Sequence, residues 1–292
     1  MILVVGASGH LGGDICRRLV SRRRLRGLVR PSSAPEAVSR LQALGVQLLE
    51  GDLRDRASLD RACRDVAVVI STATITRSRQ PGESIETTDH HGQLALVKAA
   101  RAAGVGSFIY VSYSGQIGVD DPLTTAKRAV EHQLRQSGLT YTILRPSYFM
   151  EAWLSPALGF DYLNRRATIY GSGHAKISWI SLRDVAEFAV QALDNPTARD
   201  AVLELGGPDA LSPSEVVRIF EQVGGNPFEI TYISRAALEA QRAAAPDSLQ
   251  QAFAALMLAY ATGNPIPMAE TLRRFPIQLT SVRQYAERVL AA

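Results

Sequence analysis

What is scarce in this chain narrows its possibilities first. Only two cysteines, Cys16 and Cys63, occur in 292 residues. Neither stands at metal-ligand spacing or belongs to a set of pairs, so neither a zinc site nor a disulfide framework is indicated, no metal site is expected, and a reducing cytoplasm is the expected setting. No apolar run approaches the ~18 residues that a membrane-crossing helix needs, and the opening MILVVG reads as a strand rather than a leader. An excess of one charge is missing too: 32 Lys and Arg stand against 28 Asp and Glu, scattered where a nucleic-acid protein would concentrate them. The densest basic run, Arg22-Arg23-Arg24-Leu25-Arg26 behind Arg17 and Arg18, reads as a solvated helix end and loop. Neither a nucleic-acid partner nor a membrane is therefore expected. The chain also lacks internal repeats and low-complexity tracts.

What is present is an alternation. Short apolar runs at Ile2 to Val5, Leu25 to Val29, Val46 to Leu49, Val66 to Ile70, Phe108 to Val111 and Tyr141 to Leu144 have lost the polar alternation of half-exposed strands, as parallel strands covered on both faces do. Helical patterns separate them: Asp14 to Ser21, Ala34 to Leu44, Ser58 to Cys63, Gln93 to Ala103 and Thr125 to Gln136, three of them closed by Gly45, Gly104 and Gly138. The expected fold class is α/β, a Rossmann-type doubly wound parallel sheet. Beyond Leu144 the regularity weakens into aromatic, loop-rich sequence before a helix at Arg183 to Leu193 and a strand at Ala201 to Leu205. Ser212, Pro213 and Glu215 then spell an N-cap, an N1 proline and a capping-box acid for a helix reaching Gly224. Residues 236 to 292 read as further helices. The expected division is a nucleotide domain over residues 1–150, with later pieces near 178–206, and a smaller, mostly helical substrate lobe over 151–292.

Glycines concentrate where this fold needs them. In VVGASGHLGG, Gly6, Gly9 and Gly12 fall between the first strand and the first helix, the context that gives a glycine motif meaning. Such a turn brings backbone amides against a pyrophosphate and aims a helix N-terminus at it, so Gly6, Ser8, Gly9, His10, Leu11 and Gly12 are the expected dinucleotide cradle. Where an NAD-preferring protein carries an acid at the end of the second strand, this chain has Arg30, a guanidinium fork suited to a 2′-phosphate, with Arg26 and Ser32 as neighbours. NADP(H) is therefore the expected cofactor, preferred over NAD(H).

These pieces in order resemble the NmrA-like group of atypical short-chain dehydrogenase/reductases: GASGHLGG, the LVRP after the second strand, GDLRD at Gly51 to Asp55, LRPSYFMEAWL at Leu144 to Leu154, WISLRDVA at Trp179 to Ala186 and LELGGPDALSPSEV at Leu203 to Val216. The resemblance implies that Asp52 and Leu53 flank the adenine, that Ser71, Thr72 and Ala73 line the pyrophosphate and ribose, and that Pro146, Tyr148 and Phe149 lie near the nicotinamide. It gives the piece Asp184 to Ala186 a structural role. It also implies two kinds of function, since the group includes quinone, triphenylmethane-dye and phenylpropanoid-type reductases and NADP-binding sensors without turnover.

The usual Tyr-x-x-x-Lys pair is absent: four residues before Lys127 stands Leu123. Alcohol dehydrogenase or epimerase chemistry, which uses that tyrosine as acid or base, is thereby put in doubt. Lys127 and Tyr113 are the candidate catalytic residues, Lys127 by its place in TTAKRAVEHQL and Tyr113 by its place after the fifth strand beside Ser112 and Ser114. A solvated Lys127 paired with Glu131 is the plainer alternative. His90 and His91 read as surface residues at a helix start rather than a metal pair, because adjacent helical residues diverge and no acidic ligand is read at a matching i+3 or i+4 position. The aromatic stretch Tyr148, Phe149, Trp153, Leu154, Phe160 and Tyr162 suits either a wall for a flat hydrophobic substrate or core packing. Quinones and similar conjugated acceptors need little acid–base help, so an NADPH-dependent reductase acting on a small hydrophobic acceptor is the expected function. A non-catalytic NADP(H)-binding redox sensor is the alternative. Monomer and homodimer both remain open.

Overall fold

The computed structural model describes residues 1–76, 79–118 and 120–291. Its first half alternates strand and helix: β1 (Ile2–Val5), α1 (His10–Leu19), β2 (Leu25–Val29), α2 (Pro35–Ala43), β3 (Gln47–Glu50), α3 (Arg56–Ala62), β4 (Val68–Ser71), a π-helical segment (Ile85–Gly92) running into α4 (Gln93–Ala102), β5 (Ser107–Val111), α5 (Pro122–Gln136) and β6 (Thr140–Pro146). Then come α6 (Met150–Trp153), β7 (Phe160–Asp161), β8 (Arg166–Tyr170), α7 (Leu182–Ala192), β9 (Ala201–Leu205), α8 (Pro213–Gly224), β10 (Glu229–Ile233), α9 (Arg235–Ala244), α10 (Ser248–Thr262), α11 (Ala269–Arg274) and α12 (Val282–Leu290). The helical reading of residues 236 to 292 holds as far as it can be followed, its last residue, Ala292, lying outside the described residues.

The main sheet has the order β3-β2-β1-β4-β5-β6-β9, and every pair from β3 to β6 is parallel. The chain leaves β1 toward β2 on one side and returns to β4 on the other, so the switch point lies between the carboxyl ends of β1 and β4, where open α/β sheets bind ligands. The inner strands β1, β4, β5 and β6 are buried on both faces: Leu3, Val4, Val69, Ile70, Phe108 and Ile143 have no more than a trace of exposure. A second sheet, β10-β8-β7, pairs β10 with β8 in parallel and β7 with β8 antiparallel. β10 is exposed along most of its length, so it carries neither the apolar run nor the alternation by which a strand is read from sequence.

The chain forms two compact units. The first comprises residues 1–112, 122–144 and 186–203, and the second residues 113–121, 145–185 and 204–292. The first unit's core gathers Leu3, Val5, Leu59, Val69, Leu96, Phe108, Val130 and Ile143 from sheet and helices. The second is built around aromatics, with Tyr148, Phe160, Trp179, Phe220, Tyr260 and Tyr285 packed with Met150, Leu154 and Ile169. Its α8 begins as expected: Ser212 Oγ accepts from the Glu215 amide and the Glu215 carboxylate accepts from the Ser212 amide, pairing two amides that a helix start leaves without partners. No helix among the described residues is long and apolar enough to cross a membrane.

Candidate nucleotide-binding site

The glycines divide the work of the first turn. Gly6 has φ +86°, and a Cβ there would stand 2.7 Å from Thr72 Oγ1 and 2.9 Å from the Ala73 nitrogen, so both conformation and space exclude a side chain. Gly12 lies inside α1, where a Cβ would meet the Gly6 carbonyl oxygen at 2.2 Å. Its role is to let the helix rest on the end of β1. Gly9 is different: it is exposed, and a Cβ would approach only the Gly6 oxygen, at 3.2 Å. As N-cap of α1 it has no side chain with which to cap, so no side chain of the cap position covers the helix start, the arrangement that receives phosphate. A glycine turn open at Gly9 and leading into a helix N-terminus fits a dinucleotide's phosphates.

The surrounding side chains fix the turn. Thr72 donates both its amide (3.0 Å) and its hydroxyl (3.2 Å) to the Val5 carbonyl, joining the ends of β1 and β4. Gln93 spans the same region, accepting from Ser71 Oγ at 2.9 Å and donating to the Ala73 carbonyl at 2.9 Å. Ser8 Oγ lies 3.2 Å from Ser33 Oγ, which accepts from the Arg30 amide. Leu11 is buried and His10 exposed. Arg30 stands at the end of β2, where its guanidinium reaches both carboxylate oxygens of Glu83, at 2.6 and 2.8 Å. Glu83 is itself buried and also accepts from the Gln80 amide at 2.6 Å. The expected phosphate fork is thus already oriented by a buried acid that sequence reasoning passed over, because no spacing links residues 30 and 83. Arg26 turns away from this group, donating to the carbonyls of Ala62 and Arg64 at the end of α3, and Ser32 is exposed. Asp52 is held below the usual carboxylate range, chiefly by the Arg54 side chain that bonds it, and Leu53 is buried.

Lys127 is the largest departure from the plainer reading. It is 4% exposed, its Nζ lies 3.5 Å from Asp89 Oδ1 and 3.4 Å from the Val111 carbonyl, and it sits over the Tyr110 ring. Glu131, the expected i+4 partner, instead bonds Ser112 Oγ at 2.7 Å and pairs with Arg128. Burial pushes the Lys127 ammonium below its ordinary value of 10.5, and the Asp89 charge works against that shift. Beyond the ion pair with Lys127, Asp89 Oδ1 makes no hydrogen bond, and the Tyr110 hydroxyl makes none among the described residues, although both are buried, so the cluster holds unspent polar capacity. The signal for Asp89 was present in the sequence: Ile85, Thr88, Asp89 and Gly92 form one inward face, and an acid on such a face needs a partner.

In the second unit the Tyr113 hydroxyl donates to Asp121 Oδ2 at 3.1 Å, and Ser114 Oγ donates to Glu204 Oε2 at 2.7 Å. Tyr148 is core: its hydroxyl donates to the Leu256 carbonyl at 3.0 Å, and its ring meets Trp153 and Tyr260 edge-on. Leu154 and Phe160 are buried with it, as is Pro146, while Phe149, Trp153 and Tyr162 are half-buried. Asp184 accepts from the Thr280 amide and hydroxyl, pinning the start of α7 to the segment before α12.

His91 is exposed and His90 half-buried, but the expectation that the two diverge with no acid at matching spacing is corrected by Glu86, four residues before His90. The backbone around them is π-helical rather than α-helical. It begins at Ser84, whose hydroxyl accepts from the Thr87 amide while Thr87 Oγ1 accepts from the Ser84 amide, a capping box with threonine in the acid's place. Glu86 stands 3.2 Å from His90 Nδ1 and 3.0 Å from His91 Nε2.

Strand order, switch point and glycine turn together define a Rossmann-type nucleotide-binding protein. The sequence profile of the NmrA-like family matches residues 1–279, and the chain belongs to that family. It is 30% identical over 284 residues to an NAD(P)H azoreductase of Xenophilus azovorans, covering 94% of this chain and 92% of that protein. The fold is shared with an NADPH-dependent quinone oxidoreductase of Escherichia coli solved with NADPH (TM-score 0.80, 21% identity, 99% of this chain and 100% of that one). It is shared equally with a Citrobacter triphenylmethane reductase solved with NADP(H) (TM-score 0.80, 22% identity, 99% of each chain).

Proposed function

We propose that this protein is an NAD(P)H-dependent reductase that prefers NADPH and reduces a small conjugated acceptor of the quinone, azo or triphenylmethane kind. The observation that carries this reading is the Gly6–Gly12 cradle at the β1/β4 switch point with Arg30 beside it, in a chain matched almost end to end by an NAD(P)H azoreductase. In this reading the α1 amides hold the pyrophosphate and Arg30, oriented by Glu83, receives the 2′-phosphate. Asp52 and Leu53 border the adenine, and Thr72 and Ala73 border the ribose. A bound nicotinamide would supply a hydride, and a conjugated acceptor can take its proton from water, so no Tyr-x-x-x-Lys pair is required. Lys127, drawn into the first unit by Asp89, is the residue we assign to the reactive end of the cofactor. Tyr113 is the secondary candidate, its proton directed to Asp121. The cytoplasm is the compartment we assign, with Cys16 and Cys63 buried as free thiols.

The test is turnover. The protein should consume NADPH in the presence of quinones, azo dyes or triphenylmethane dyes. Intact NADPH binding with no consumption across such a panel would overturn the reductase reading and favour a cofactor-sensing role.

A further inference from the structure

The π-helical segment Ile85–Gly92 brings together three side chains of which an α-helix would keep only Glu86 and His90, four residues apart, on one face. With 3.6 residues per turn, a residue five positions on is rotated about 140° away, so Glu86 and His91 would face different directions. The wider i→i+5 winding of a π-helix returns both the fourth and the fifth residue close to the starting line. Here Glu86 Oε1 is 3.2 Å from His90 Nδ1 and 3.0 Å from His91 Nε2, and the two imidazoles stack with centroids 4.8 Å apart and planes 29° from parallel. One ligand atom from each residue lies within 4.8 Å of the other two. It is the only such grouping of His, Cys, Asp and Glu among the described residues.

We propose that Glu86, His90 and His91 form a binding site for a borderline divalent transition-metal ion, of the Zn²⁺ or Co²⁺ class. An ion bound at ~2.0–2.2 Å from nitrogen and carboxylate oxygen holds its tetrahedral ligands about 3.3 Å apart, close to the two separations from Glu86. Two imidazoles and one carboxylate select this class over Ca²⁺ and Mg²⁺, which take oxygen ligands. Glu86 and His91 are exposed and His90 half-buried, so the ion is reached from solvent and water completes its coordination. Without metal, each ring can donate an N–H into the shared carboxylate oxygen. Binding moves that hydrogen to the other ring nitrogen and puts the ion in its place, with no net proton released from neutral rings. Asp89, on the inward face of the same segment, partners Lys127, so a bound ion would lock the winding that presents Asp89. The site itself depends on nothing in the reductase reading.

The experiment is calorimetric titration of the purified full chain with ZnCl₂ in a non-chelating buffer, with Co²⁺ visible absorption as the coordination readout. One ion per chain and Co²⁺ bands indicating nitrogen ligation are expected. His90→Ala, His91→Ala and Glu86→Gln should each weaken binding at least tenfold, while His132→Ala, at an exposed site elsewhere, should leave it unchanged. Metal-free urea unfolding shows whether each variant is folded. Because the His91 side chain is 64% exposed, His91→Ala is the variant that keeps its fold and decides the matter. No saturable binding by millimolar metal, or unchanged affinity in folded His91→Ala, overturns the proposal.

Discussion

Replacing Gly12 with alanine should separate the structural glycine of the turn from the binding one. The added Cβ would stand 2.2 Å from the Gly6 carbonyl oxygen, 2.8 Å from its carbon and 3.0 Å from Ala7 Cα. All three are backbone atoms, so no rotamer relieves the overlap and α1 must back away from β1. Overpacking of this kind costs ~1–3 kcal/mol, and an immovable carbonyl places this case at the upper end. Alanine's better helix propensity offsets ~1 kcal/mol, leaving a net loss of ~2 kcal/mol. At a urea dependence of ~3 kcal/mol/M the unfolding midpoint should fall by roughly 0.7 M. Gly9→Ala meets one contact at 3.2 Å and has φ −77°, ordinary for an L-residue. Its stability should change by less than ~1 kcal/mol, the usual range for an N-cap exchange, while NADPH affinity falls. Urea unfolding followed by circular dichroism, paired with NADPH titration, reads both effects. A Gly12→Ala midpoint equal to the unmodified protein's, or equal destabilisation by both substitutions, would refute this division of roles.

Other outcomes follow from the same geometry. Lys127→Ala should slow NADPH oxidation by conjugated acceptors while NADPH affinity stays within about tenfold, ~1.4 kcal/mol; a loss confined to affinity would return Lys127 to a binding role. Arg30→Ala should reduce the preference for NADPH over NADH at least tenfold, but it strands buried Glu83 and should destabilise the fold by less than the ~3–5 kcal/mol of a fully buried pair, because Arg30 itself is 27% exposed. The double variant Arg30→Ala/Glu83→Gln should show the same loss of preference with most of the stability restored, and an unchanged preference in parallel cofactor titrations would exclude Arg30 from the site. Because Lys127 is depressed below 10.5, the unfolded chain binds the extra proton between the folded value and 10.5, so this lysine's contribution to stability rises with pH across that window. Comparing urea midpoints with Lys127→Met should show that rise only in the unmodified protein; parallel pH profiles would mean that Lys127 titrates normally.

Much of this was legible in the sequence because it rests on local rules. Parallel strands buried on both faces announce themselves as apolar runs, and strands β1, β2 and β9 fall on the expected residues. The Ser212 capping box needs only a three-residue spacing. What stayed hidden depends on partners distant in sequence. Glu83 acquires meaning only when the fold carries it to Arg30, and the neighbour that helix spacing offers Lys127 is Glu131, whereas its partner Asp89 lies on another segment. The π-helical winding of residues 85–92 was hidden for a different reason: helical periodicity assumes 3.6 residues per turn, and on that assumption Glu86 and His91 diverge. The aromatic stretch from Tyr148 was ambiguous because a substrate wall and a packed core ask for the same residues. Burial settles Tyr148, Leu154 and Phe160 as core.

The interleaving of the two units has a consequence for the order in which the protein is made. The first unit has its last segment once Leu203 has been synthesised, whereas the second still lacks residues 204 to 292. Its two earlier segments, residues 113–121 and 145–185, must wait without α8, α10 and α12, which complete their aromatic core. At a synthesis rate of ~5–20 residues per second that interval lasts roughly 4–18 s, during which Tyr148, Phe160 and Trp179 lack partners such as Phe220, Tyr260 and Tyr285. The nascent chain therefore passes through a stage in which the nucleotide cradle can already form while a cluster of large aromatic side chains is uncovered, and that stage is where a chaperone or an aggregation pathway would compete for it.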